Sequence, residues 1–459
     1  MDVEMLSRIQ FAFTVGFHYI YPPLSIGLGV ALVIMEGLYL KTKNQVYQQM
    51  TKFWVKVFAL TFAIGVATGI VMEFEFGTNW ATYSRYVGDI FGSALAAEGI
   101  FAFFLESGFL AILVFGWNKV SPKVHFFSTI MVSFGSMLSA VWIVVANSWQ
   151  QTPAGYHIVG EGLSQRAEIT DFWAMVFNPS SMERLFHTLS GAWLAGAFLI
   201  LSISAFYLIK KRNIEFASKS FKIGLLIAVF ASLFQLFTGH ISAVGVSKNQ
   251  PAKLAAFEAH FDSSKVADLY LFGWVDDSNQ KVNVGIKLPK FLSFFIYGDF
   301  TTPVKGLNAF PKADRPPVNI VFQTYHLMVA IGMALIALSI LGIFYLWRGR
   351  LFERKWLLWI FVASVLLPQA ANQLGWCSAE IGRQPWIVHG LLRTSDALSK
   401  SVTANQVIFS LILFTLIYLL LFILFLFLLN EKIKNGPEDI EETSSVYEKQ
   451  KMYFSKSRQ

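Results

Sequence analysis

The chain has one cysteine, Cys377, in 459 residues. That excludes an intrachain disulfide, a CxxC redox pair and a cysteine-ligated iron–sulfur cluster within the chain. Charge is equally scarce. Asp, Glu, Lys and Arg make up 14% of residues, against about 25% in a soluble protein. Mean hydropathy is +0.52 and 55% of residues are hydrophobic. No cleavable signal peptide is expected, because the first apolar run begins near Phe11 and is too long for a signal h-region. The net charge of +8 does not indicate nucleic acid, since the basic residues cluster in short loops between apolar runs.

Those runs predict an all-α integral membrane protein, a single polytopic domain over 1–459, with about nine spans. They lie near 10–38, 53–74, 93–117, 125–147, 184–209, 220–243, 319–346, 356–376 and 402–430. Each supplies the roughly 20 apolar residues of a bilayer crossing. Lys and Arg concentrate after the first, third, fifth, seventh and ninth spans, which puts the N-terminus outside and the C-terminus in the cytoplasm. Two external loops are long, 148–183 and 244–318, and loops of that length are commonly functional. The charged, Ser-rich tail 436–459 reads as a disordered cytoplasmic segment. No internal repeat is apparent.

Ionisable residues inside spans carry the chemistry, because they are costly there. Three histidines sit toward the outer ends of their spans: His18 in the first, His187 in the fifth and His326 in the seventh. Met328 follows His326 by two residues, and Glu380 lies at the outer end of the eighth span. Haem iron takes His, Met or, more rarely, an oxygen ligand. Any one of these histidines alone reads as a packed core residue, and Met328 with Met333 at helical spacing reads as core. Their convergence at one depth favours ligation. Glu98 and Glu106 in the third span are about 12 Å apart along the helix axis. They suit a proton relay, or a pair of protonated carboxyls joining helices. Ser107 and Ser139 read alone as the hydroxyls that membrane helices commonly contain. Lys253 and Glu258, in the second long loop, read alone as ordinary surface charges.

The most specific segment is Gly375-Trp376-Cys377-Ser378-Ala379-Glu380-Ile381-Gly382-Arg383-Gln384-Pro385-Trp386. It resembles the GWxxxExGRQPW signature of subunit I of the cytochrome bd quinol oxidases. Lys253-Leu254-Ala255-Ala256-Phe257-Glu258 resembles the family's quinol-binding loop, and Met72-Glu73 through Trp80 a further family segment. The resemblance implies two haem b groups, one low-spin and one high-spin, and one haem d or a third haem b. It implies His187 and Met328 as axial ligands of the low-spin haem, and His18 and Glu380 as ligands at the two high-spin positions. Trp376 resembles the indole between redox centres, and Glu73 is a structural or haem-adjacent acid. Arg383 belongs to the same cofactor-binding set. By resemblance Lys253 and Glu258 would assist quinol binding or deprotonation, and Ser107 and Ser139 match hydroxyls of the family's proton channel; with the haem ligands near the outer face, topology then routes cytoplasmic protons through Glu106 and then Glu98.

The chain departs from the family pattern at His326, where the best-known members carry Arg beside a haem propionate, and in a quinol loop of the short type. The implied function is that of a respiratory terminal oxidase subunit in the bacterial cytoplasmic membrane. It oxidises quinol outside and reduces O2 to water, building a proton motive force without pumping. Its implied partners are subunit II, a small single-helix accessory subunit and membrane lipid. Two alternatives stand beside this: a cyanide-insensitive form with haem b replacing haem d, and, in another class, a proton-coupled transporter.

Overall fold

The computed structural model describes residues 2–263 and 266–438. The end of the expected disordered tail, 439–459, lies outside the described residues. Among the described residues nine helical segments are long and apolar enough to cross a membrane. They are Val3–Thr42, Gln45–Thr78, Gly88–Phe115, Pro122–Gln151, Ser181–Ile209, Ile214–Asn249, Lys312–Trp347, Lys355–Ile381 and Ala404–Asn435. They coincide with the nine expected spans, and most run past the apolar stretch into polar ends. All the long connections emerge on one side, the long-loop side. The Lys- and Arg-rich turns emerge on the other, the basic side.

Three spans are interrupted, each for a local reason. The first consists of helices Val3–His18 and Tyr21–Thr42. Pro22 and Pro23 open the second of these; they lack N–H donors and suit only a first turn. His18 therefore ends a helix rather than lying within one. The eighth span breaks between Lys355–Ala363 and Leu366–Ile381. The third holds a π-helical turn, Glu98–Phe103. Two α-turns take about 7 residues, and a π-turn adds one. Glu98 and Glu106, eight residues apart, are thereby brought onto one face.

The fifth span is the most buried and the ninth the least. Helices can approach closely in lipid only where residues are small. The first and fifth spans do so at Gly27 and Gly196. A Cβ on Gly27 would lie 2.7 Å from the Gly196 nitrogen, and one on Gly196 would lie 2.4 Å from the Gly27 carbonyl carbon. The ninth span adds an outer wall, with Tyr418 stacked on Phe17 at 4.5 Å.

This crossing exposes a correction to the sequence reading, because an internal repeat is present. Gly27 stands nine residues after His18, and Gly196 nine residues after His187. The His18 ring bonds Thr68 of the pair Thr68-Gly69, and the His187 ring bonds Thr238 of the pair Thr238-Gly239. Two helix pairs thus present the same His, Gly and Thr-Gly positions about the glycine contact. So few shared residues do not register as sequence similarity.

The long loops are not wholly irregular, and small sheets qualify the all-α expectation. Antiparallel hairpins form from β1 (Tyr156–Val159) and β2 (Arg166–Ile169), from β3 (Leu269–Asp276) and β4 (Lys281–Leu288), and from β5 (Trp386–Val388) and β6 (Leu392–Arg393). A short helix, Pro251–Phe257, follows the sixth span directly.

Replacing Gly196 by Val should force the first and fifth spans apart. A loss of about 1–3 kcal/mol or more is expected for such overpacking, read as a lowered unfolding midpoint of the purified protein. Gly108→Ala, whose Cβ would meet nothing within 4 Å, should leave the midpoint within error.

Candidate functional site

A continuous cavity of about 1380 Å³ opens between the spans, toward the long-loop side. It exceeds the roughly 300–1,000 Å³ of a site for one small ligand. His18, His187, Met328 and Glu380 all line it, as do Glu73, Glu98, Glu106, Trp376 and Arg383. They do not form a compact cage: among the described residues no three His, Cys, Asp or Glu side chains cluster as a metal site. Single ligands on separate walls suit planar groups held at their axial positions better than a bare ion.

The ligand candidates are prepared for iron to different degrees. The His18 Nδ1 lies 3.0 Å from the Thr68 hydroxyl. That hydroxyl donates to the Ile64 and Gly65 carbonyls at 3.0 Å, so it accepts from His18. Nδ1 therefore carries the proton and Nε2 keeps its lone pair, the tautomer a metal needs. His187 has the matching contact with Thr238, at 3.2 Å. Here the Gln235 amide also lies 3.0 Å from Nε2 and must turn aside for ligation. Each ligand leans on a glycine. A Cβ would lie 3.2 Å from His18 Cε1 at Gly69, 3.4 Å from His187 Cε1 at Gly239 and 2.8 Å from the Met328 sulfur at Gly375. These residues fit axial haem ligation.

Glu380 sits at the centre of a charged cluster. Its Oε2 accepts from Arg383 Nη2 at 2.5 Å, and its Oε1 accepts from Asn147 at 3.0 Å and Gln151 at 3.3 Å. A carboxylate offers about four lone-pair sites, so one remains. Arg184 donates to Asn147, and its Nε has no partner. Two guanidiniums around one carboxylate leave a positive excess, which suits the carboxylates of a propionate-bearing group. Arg184 and Asn147 were not among the sequence candidates. A guanidinium three residues before His187, on the same helix face, was the available signal.

The fourth span joins this cluster to the basic side. His125, Thr129, Ser133, Ser136, Ser139 and Asn147 lie along it at helical spacing. Near the basic side, the Glu36 carboxylate faces His125 Nδ1 at 2.7 Å and accepts from Thr129 at 2.5 Å. Higher up, Gly135 lets the Glu106 backbone approach, and a Cβ there would lie 3.0 Å from the Glu106 Cβ. Ser139 donates to Glu98 at 2.8 Å. Glu106 is 5% exposed, and its Oε1 has no partner. Ser107, by contrast, is half-buried and donates to the Phe103 carbonyl of its own span at 2.7 Å. A second unassigned acid, Glu75, is buried among Thr14 and Tyr418 with both oxygens unpartnered. Its neighbour Glu73 faces the cavity instead.

The second long loop folds down on the site. Lys253 and Glu258 are each 2% exposed, far from the surface charges that an isolated reading suggests. Lys253 donates to Gln151 at 2.5 Å and Gln250 at 2.9 Å. Its stem packs where a Cβ on Gly382 would lie, 3.1 Å away. The two glycines of the Gly375–Trp386 segment are thus spaces for Met328 and Lys253. Burial, with the Arg184 guanidinium adding to it, holds the Lys253 amine well below its ordinary range. Burial pushes the Glu258 carboxyl up to about 8, and its Oε2 has no hydrogen-bond partner. His326 does not line the cavity. Its Nε2 faces the Tyr270 carbonyl at 2.8 Å and lies 3.9 Å from Glu258. It ties β3 to the seventh span beside Glu258.

The chain matches the family model described as cytochrome bd terminal oxidase subunit I over residues 6–437. It is 40% identical to the cytochrome bd ubiquinol oxidase subunit 1 of Bacillus subtilis, over 90% of this chain and 89% of that protein. It is 35% identical to the cytochrome bd-II ubiquinol oxidase subunit 1 of Escherichia coli, over 89% and 92%. Among solved structures it resembles the bd oxidase from Geobacillus thermodenitrificans, with a TM-score of 0.88 and 28% identity over 95% of this chain and 99% of that one.

Gly375→Ala should press a methyl against the Met328 sulfur. The visible band expected of a Met328-ligated haem should then shift or disappear in the reduced-minus-oxidised spectrum. A band unchanged from that of the parent protein would separate Met328 from the iron.

Proposed function

The chain belongs to the cytochrome bd terminal oxidase subunit I family, and from that premise we propose how its residues do the work. As a member it is a haem-containing, multi-pass membrane oxidoreductase of the respiratory chain, working with subunit II, quinol and O2. The transporter alternative falls away. The finer reading is a bacterial cytoplasmic-membrane oxidase with quinol oxidised at the outer, long-loop face. The observation that carries it is one cavity bordered by all four ligand candidates and by Ser136, Ser139 and Asn147, the long-loop end of the fourth span's polar stripe.

His187 and Met328 would hold a low-spin haem b; His18 and Glu380 would each hold one of two high-spin groups, a haem b with a haem d or a further haem b. Bound haem supplies one-electron transfer and a site for O2 reduction. Arg184 and Arg383 would offset propionate charge, and Trp376, which lines the same cavity, would stand beside the bound groups. Glu258 takes the first proton from quinol. A buried carboxylate pushed up to about 8 is a base of suitable strength near neutral pH. Lys253 is anchored by two N–H bonds, to Gln151 and Gln250, and its ammonium has a third N–H for the quinol oxygen.

Protons for O2 arrive from the basic side, the cytoplasm. The bilayer interior has no free water, so side chains and trapped water must carry them. The route runs from Glu36 and His125 along the fourth span to Glu106, then to Glu98, which share one face because of the π-turn. Electrons and protons meet from opposite sides, so turnover builds a potential without pumping. A single-helix accessory subunit beside the exposed spans belongs to the same proposal.

The ionised form of Glu258 is the base, and it forms as pH rises through about 8. Quinol oxidation should therefore rise over that range. Glu258→Gln should remove the rising limb and lower quinol turnover by about 10²-fold or more, while an artificial electron donor is still oxidised. Equal loss with both donors would place the defect at the haems.

A further inference from the structure

The β3–β4 hairpin has apolar residues on both faces. Its inner face, with Tyr270, Val275 and Val282, packs on Phe322 of the seventh span. Its outer face pairs Phe272 with Ile286 and Trp274 with Val284. These four are 53%, 55%, 61% and 66% exposed. An antiparallel hairpin with one face in water normally alternates apolar inside with polar outside. This one does not: its charged and amide residues lie at the tip, from Asp276 to Asn283, and at the open end, where Lys287 pairs with Asp268 at 2.6 Å.

The depth of the hairpin is fixed by hydrogen bonds to the seventh span. The Asp277 carboxylate accepts from the Asn319 backbone at 3.4 Å. The Gly273 carbonyl accepts from Gln323 at 2.7 Å, and His326 Nε2 faces the Tyr270 carbonyl at 2.8 Å. The helix Val318–Trp347 has 30 residues. At about 1.5 Å per residue it is about 45 Å long, against about 30 Å of hydrocarbon. Trp347 and the arginines after it mark the basic-side boundary. The surplus therefore lies at the other end, over the turns the hairpin touches. That is the interfacial layer, where Trp is at home. Ile320 and Leu327 of the same helix are 49% and 52% exposed, so the apolar surface runs on from the spanning helix.

We propose that the outer face of the β3–β4 hairpin lies in the lipid interface on the long-loop side and forms a lateral entrance for membrane-borne quinol. The occupant is acyl chain and headgroup boundary, not water or protein. Behind the hairpin the Tyr270 carbonyl, His326 and Glu258 follow one another at 2.8 and 3.9 Å, so a quinol headgroup that parts the hairpin from the seventh span meets its base while its tail stays in lipid. This second half rests on the reading of the loop as the quinol site; the lipid contact does not.

The experiment uses the whole oxidase in phospholipid nanodiscs, with Cys377→Ser and a spin label at Val284→Cys or at Asn279→Cys. Collision with oxygen should dominate at position 284, and collision with an aqueous nickel chelate at position 279. Nickel dominance at 284 means water there, and shielding from both means a protein cover; either overturns the proposal. Separately, Ile286→Lys should raise the apparent KM several-fold for a long-tailed quinol but not for a short-tailed, water-soluble one. An equal rise for both overturns lateral entry while leaving the loop's quinol role intact. A lipid-dominated label with no dependence on Glu258 in either quinol assay would sink the quinol reading instead.

Discussion

The structure depends on a charge taken out of water. Glu380 lies at the end of the eighth span, with Arg383, Asn147 and Gln151 supplying donors from two directions. Leaving such a carboxylate unpaired would cost about 3–5 kcal/mol. The donors therefore fix where the fourth and eighth spans meet. Arg184 brings in the fifth span through Asn147, and Lys253 brings in the loop through Gln151. Three spans and the second long loop are registered against one side chain. The same cluster has a positive excess, and that excess gives an anionic cofactor a reason to bind there.

A second constraint is closeness. Gly27 and Gly196 set the spacing of the first and fifth spans, and Gly69, Gly239 and Gly375 leave room for His18, His187 and Met328. Ligands on separate spans can face a common cavity only if backbones approach where the ligand stems pass. The repeated His, Gly and Thr-Gly positions apply one solution twice. They differ in that His18 ends a helix while His187 lies within one, and in that Gln235 lies against the second imidazole but has no counterpart at the first.

Much of this was legible in the sequence. The nine spans followed from length and hydropathy, because a bilayer crossing imposes both. The candidate ligands and the relay carboxylates stood out because charge and imidazole are rare in apolar helices. Other features were hidden for physical reasons. Lys253 and Glu258 read alone as surface charges, since loop burial depends on tertiary docking. The π-turn at Glu98 leaves no compositional mark, yet it decides that Glu98 and Glu106 share a face. Arg184, Asn147 and Glu75 gain meaning only from neighbours distant in sequence. The hairpin's alternation was masked because both of its faces are apolar.

The central claim is that the fourth span and Glu106 carry the protons that the cavity consumes. The most direct measurement uses proteoliposomes energised with quinol, following O2 consumption and membrane potential together in Glu106→Leu. The account predicts that both fall together while the haem spectrum and quinol binding remain, because substrate and electrons still arrive but protons do not. Wild-type turnover with a wild-type potential would show that Glu106 is structural and that the protons travel elsewhere.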